Sequence, residues 1–70
     1  MIHLDLRISS DRLDWEIEAS TDGATFRPIY YLTIDPFDRG AAEASLKAML
    51  TALEYAGIPA RATAFGREFK

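Results

Sequence analysis

Cysteine is absent from this chain, and histidine occurs once, as His3. The first absence removes disulfides and thiolate metal sites and fits a reducing compartment. The second leaves too little imidazole for a dedicated histidine metal site. No apolar run approaches the roughly 18 residues of a membrane span, and no signal-peptide pattern opens the chain. The expectation is therefore a soluble, cytoplasmic protein with no membrane attachment. Positive charge is also in short supply. Eight Lys and Arg stand against 11 Asp and Glu, for a net charge of −3. That balance argues against a general nucleic-acid binder, which needs a basic face to displace counterions. Catalytic patterns are missing as well. "TDGA" has one glycine and no lysine, so it is no phosphate loop. The pattern places no serine or cysteine beside His3. The sequence leads us to expect no enzyme activity, no cofactor and no metal.

What is present is the composition of a folded domain, 49% hydrophobic and 27% charged. Seventy residues make one domain, 1–70. A chain of this length buries only about 60% of its unfolded surface, and small unstapled domains often gain burial by associating. A homodimer is the expectation. The chain starts at Met1 and carries no linker, repeat or low-complexity segment, so it reads as a complete small protein.

The hydrophobic period changes once. Ile2, Leu4, Leu6 and Ile8 alternate with His3, Asp5 and Arg7, as in a half-buried strand. "SSDR" is a turn, and Leu13, Trp15, Ile17 and Ala19 then alternate with Asp14, Glu16 and Glu18. Asp22-Gly23 is a hairpin signal, and a third strand is expected over Thr25–Ile34. Asp35-Pro36 or Asp38 could cap the helix that follows. That helix is expected from Gly40 to Ala56, with Leu46, Met49, Leu50 and Leu53 as its buried stripe, extended by Ala42 and Ala56. Glu43 and Lys47 stand at i,i+4 in the favourable order, and Glu54 shares their outer side. "AGIP" stops the helix, "ARATAF" is a fourth strand and "GREFK" a ragged end. The fold class is α+β in the order β-β-β-α-β. It comprises an antiparallel three-stranded meander plus a fourth strand, with one helix packed on one face and the possible order 3-2-1-4. The strand–helix–strand crossover is expected to be right-handed.

A two-residue Asp22-Gly23 loop would set Glu18 opposite Arg27 and Trp15 opposite Tyr30. A turn placing Ile8 opposite Leu13 would set Arg7 against Asp14, Asp5 against Glu16, and His3 against Glu18. The face away from the helix then has an acidic stripe, Asp14, Glu16 and Glu18, bordered by Arg27, Ile29 and Tyr31. These six are the candidate binding residues, since apolar area and tyrosine on a charged face suit a partner or dimer patch. Pro28 disturbs this register. It has no N–H to donate, so the third strand is an edge with a bulge, or its pairing stops. A bulge, or a three-residue loop, would exchange Tyr30 and Tyr31 between core and solvent. Tyr30 inside and Tyr31 outside is the favoured arrangement. The basic-aromatic end, Arg61, Phe65, Arg67, Phe69 and Lys70, reads as a frayed terminus.

The element order resembles the first half of the ribonuclease H-like fold. That resemblance is topological and spans nearly the whole chain. The family's nucleases hold two metal ions with carboxylates on the first strand, first helix and fourth strand. Asp5 and Glu43 sit on elements of that kind, but the fourth strand offers Thr63, Ala64 and Phe65. Asp5 also faces away from the helix. Truncated versions of the fold occur in HicB-type antitoxins, which this chain is similar to in element order. Two functional expectations follow. The first is a non-enzymatic module that binds a protein partner by occupying its surface, as phage-encoded anti-CRISPR inhibitors of similar size do. The second is a degenerate ribonuclease H-like domain with an antitoxin-like or weak nucleic-acid-binding role.

Overall fold

The computed structural model describes residues 1–9, 14–32 and 38–69. The alternating segments form strands β1 (Ile2–Ile8), β2 (Trp15–Ser20) and β3 (Arg27–Leu32). The helical period forms α1 (Arg39–Tyr55), and β4 (Ala60–Ala64) and β5 (Arg67–Phe69) follow it. The fold is α+β, with one mixed sheet in the order β3-β2-β1-β4-β5. β1 pairs antiparallel with β2 and parallel with β4, and the other pairs are antiparallel. The inferred order 3-2-1-4 gains a fifth strand: "REF" is not a ragged end but the return arm of a hairpin.

That hairpin turns on Phe65-Gly66, both at positive φ (56° and 78°), with Ala64 opposite Arg67. Two left-handed residues match the twist of the strands they join. Glycine adopts this backbone freely, whereas phenylalanine does so against a steric cost of roughly 1–2 kcal/mol. The ring offsets that cost through its contacts. It stands edge-on to Trp15, centroids 5.3 Å apart, and the Arg39 guanidinium lies 4.1 Å from its centroid.

α1 begins at Asp38, whose Oδ1 accepts from the Ala41 N–H at 3.0 Å. The alternative cap at Asp35-Pro36 lies outside the described residues, as do the "SSDR" turn beyond Ser9, Leu13, and Thr33–Ile34. The helix ends as "AGIP" predicts. Gly57 (φ 75°) donates to the Glu54 carbonyl and Ile58 to the Leu53 carbonyl, the paired bonds of a Schellman stop. Ala56 caps this end in an exposed position rather than extending the buried stripe. α1 packs over β4 and β1, and its Ala42 and Leu46 join Leu4, Leu6, Ile17, Ala62 and Ala64 in the core. Met49, Leu50 and Leu53 pack at its border.

The register departs from expectation by counts that decide which face each residue occupies. Ile8 pairs with Trp15, not Leu13; Arg7 with Glu16, Asp5 with Glu18 and His3 with Ser20. This is a slip of two, so every side chain keeps its face and only its neighbours change. Across β2 and β3, Trp15 pairs with Leu32, Glu16 with Tyr31 and Ile17 with Tyr30, again two from expectation. Beyond the bulge, Glu18 pairs with Pro28 and Ala19 with Arg27, a slip of one. The connection 21–26 is longer than a two-residue turn, and the bulge expected at Pro28 takes up one further residue at Ile29. The two odd shifts cancel for the tyrosines. Tyr30 lies on the helix side and Tyr31 on the open side. Arg27 receives only one shift and turns to the helix side.

Candidate functional site

The sheet face away from α1 carries His3, Asp5 and Arg7 from β1, Glu16 and Glu18 from β2, Tyr31 from β3, and Thr63 from β4. Asp5 faces Glu18 directly, a like-charge pair that destabilises unless each acid finds another partner. Both do. The Thr63 hydroxyl donates to Asp5 Oδ1 at 2.6 Å. Arg7 donates from Nη1 to Glu18 Oε1 at 3.2 Å, and its Nε lies 3.9 Å from Glu16 Oε2. Arg7 spans the strip with its own side chain about half exposed, 52%, while the two glutamates are mostly covered. With one partner that open to water, each pair contributes no more than about 1 kcal/mol. The arrangement is a screened acidic strip with Arg7 over both glutamates, and Arg61 stands on the same face of β4 opposite His3.

Beside this strip runs β3, a sheet edge exposed along its whole length except Leu32. Ile29 is 54%, Tyr30 45% and Tyr31 55% exposed. Tyr30, though on the helix side, is therefore not a core anchor beside Trp15. Leu32 and the Phe65 ring take that place. The cause is the position of α1, which covers β1 and β4 and leaves the β3 side of the sheet to itself.

Of the six candidate residues, the structure brings Glu16, Glu18 and Tyr31 together on the open face, with Ile29 beside them in the bulge. Arg27 does not join them. It projects to the other face beside Ala19 and lines a hollow with Ile2, Asp22 and Thr25. Asp14 precedes β2 rather than continuing its stripe. Its N–H donates to Ser9 Oγ at 3.4 Å, and its carbonyl accepts from the Ser9 N–H at 2.9 Å. The expected His3–Glu18 pair is replaced by His3 against Ser20, with its ring about 3.4 Å from where a β-carbon on Gly23 would sit.

The β2–β3 connection is built by Ser20 and Asp22. Ser20 Oγ accepts from the Gly23 N–H at 2.9 Å and donates to Asp22 Oδ1 at 2.8 Å. The same Asp22 oxygen accepts from the Thr25 and Ala24 N–H groups, each at 2.8 Å. Those donors, Thr25 first, then Ala24 and the Ser20 hydroxyl, hold the Asp22 carboxyl at about 2, below its ordinary 3.8. This is a structural turn, legible in the sequence only as "TDGA".

Asp5 and Glu43, the acids on the two elements the ribonuclease H-like resemblance singles out, lie on opposite sides of the sheet. Glu43 accepts from Arg39 at 3.1 Å instead of pairing with Lys47. Among the described residues, no three His, Asp or Glu side chains are grouped to hold a metal ion. No described helix is long and apolar enough to cross a membrane. The sequence signal for the Phe65 cluster was the "FG" pair after a strand, which marks a hairpin turn; nothing local pointed to Arg39 or Trp15 as its neighbours. Compared with family models, curated proteins and solved structures, the chain matches none.

Proposed function

We propose that this chain is a non-enzymatic binding module that works in the cytoplasm by occupying the surface of a larger protein, with β3 and the adjoining acidic strip as the contact. One observation carries the reading: Ile29, Tyr30 and Tyr31 stand consecutively exposed on a sheet edge. Tyrosine and isoleucine supply contact area at little entropic cost, and an edge strand offers unpaired backbone groups to a partner. The half-exposed Arg7, lying over the covered Glu16 and Glu18, supplies a charged rim to the contact. Inhibitors of host defence carried by phages, anti-CRISPR proteins among them, act in this manner, and we place the chain in that functional class.

A second reading keeps the antitoxin-like role, favoured by the order of the first four strands and the helix. The two predict different companions. Affinity capture from host lysate followed by mass spectrometry is expected to return a large protein complex, lost with Tyr31→Ala. Capture of a small basic toxin would favour the second reading. Capture of nucleic acid alone, with binding that falls steeply as salt rises, would overturn the first.

A further inference from the structure

α1 is apolar on both sides. A helix on a sheet surface ordinarily turns charge to water on the face away from the core. Here the outward face presents Ala44, Ala48, Thr51, Ala52 and Tyr55, all exposed and none charged. Tyr55 is 94% exposed, the most open large hydrophobic side chain among the described residues. Charge is confined to one flank. Lys47 and Glu54 stand seven positions apart, nearly two turns, and so project almost in line. Glu43, the expected partner of Lys47, is engaged by Arg39. Neither Lys47 nor Glu54 has an ion-pair partner among the described residues.

We propose that this face is the contact between two copies of the chain, packed helix to helix and antiparallel about a two-fold axis that crosses the outward face at the level of Met49 and Leu50 along the helix. The face is complementary to itself in that arrangement and in no other simple one. Tyr55 is a projecting ring at one end, and Ala44, about 16 Å away along the axis, is the hollow at the other. Antiparallel pairing seats each ring on Ala44 of the second copy and sets Thr51 against Ala48. A two-fold perpendicular to the helices keeps like flanks on the same side. Lys47 then falls about 3 Å along the axis from Glu54 of the second copy, and the reverse pair forms by symmetry. Opposite charges left idle within one copy thus meet across the interface. The contact lies on the far side of α1 from the sheet and does not use the β3 edge. One helix face is small against a standard interface, so association in the micromolar range is expected.

Sedimentation velocity from about 1 μM to 1 mM tests this, with circular dichroism as the check on folding. The wild type is expected to pass from monomer to dimer in that span. Ala48→Glu, an exposed change to a good helix former, is expected to leave the monomer folded and abolish the dimer. Lys47→Glu or Glu54→Lys alone is expected to weaken dimerisation about tenfold or more, and the double exchange to restore it. The restoration is a readout that a folding defect would not produce. A monomer at every concentration overturns the proposal. So does a dimer indifferent to Ala48→Glu, or a double exchange no better than either single one. A dimer lost with Tyr31→Ala would assign the contact to β3 instead, overturning this proposal and occupying the edge that the proposed function gives to a larger partner.

Discussion

At the scale of single residues, cost follows how completely a side chain is enclosed. Ile17 is fully buried in the centre of β2. Ile17→Ala is expected to cost about 2–5 kcal/mol. A domain of this size has only roughly 4–10 kcal/mol in total, so denaturant titration should show the unfolding midpoint lowered by a large fraction, with the protein unfolded in water at the low end of that range. Tyr31→Ala, 55% exposed, is expected to leave the unfolding midpoint nearly unchanged while weakening partner capture. A large loss of stability would mean that Tyr31 serves the fold. Phe65 separates two opposed effects. Phe65→Gly relieves the left-handed backbone, yet removes a ring pair worth about 0.5–1.5 kcal/mol beyond its burial and the Arg39 contact. Net destabilisation is expected in thermal melts, and a stabilised variant would show that backbone strain dominates at this turn. Asp22 sets a pH dependence. Its folded pKa is depressed, from 3.8 to about 2, so its contribution is full above about pH 4 and lost as pH falls through that interval. Melts of wild type and Asp22→Asn are expected to differ at neutral pH and to converge toward pH 2.

At the scale of elements, α1 depends on its two ends as much as on its stripe. Gly57 holds φ 75°, and a β-carbon there would meet nothing within 4 Å. Gly57→Ala therefore probes backbone conformation alone. It is expected to cost about 1 kcal/mol, lowering the midpoint by about 4–8 °C. A neutral result would show that the Schellman bonds tolerate a different backbone. Asp38→Ala is expected to cost a similar amount through loss of the Ala41 bond. Both substitutions act on α1 and share no contact, so their effects are expected to add. β3 is the element whose behaviour the pattern described least. Its Pro28 and the Ile29 bulge blunt one end of an otherwise open edge, a recognised way to discourage indiscriminate strand pairing while leaving Tyr30 and Tyr31 presented.

At the scale of the molecule, one helix on a five-stranded sheet leaves surfaces uncovered, among them the β3 side of the sheet and the outer side of α1. If the latter pairs with a second copy, mass action ties stability to concentration. The thermal midpoint of the wild type is expected to rise with protein concentration and that of Ala48→Glu to stay fixed. Equal midpoints at all concentrations would speak against any coupling between folding and association.

The sequence by itself determined the α+β class, the order of the first four strands and the helix, the helix stop at Gly57, and which residues of β1 and β2 share a face; for the N-cap it left Asp38 beside Asp35-Pro36. Those are periodic or local properties, and a slip of two along a strand leaves them untouched. Tertiary structure alone decided the rest. Arg27 was carried to the far face because a single extra residue at Ile29 reverses alternation. The acidic strip changed partners because the loops are longer than the shortest that fit. β5 exists because Phe65 can hold a left-handed turn with Trp15 and Arg39 around its ring, residues far apart in the chain. Loop length and long-range packing leave no period in the sequence, and they set who stands beside whom on the surface a partner would meet.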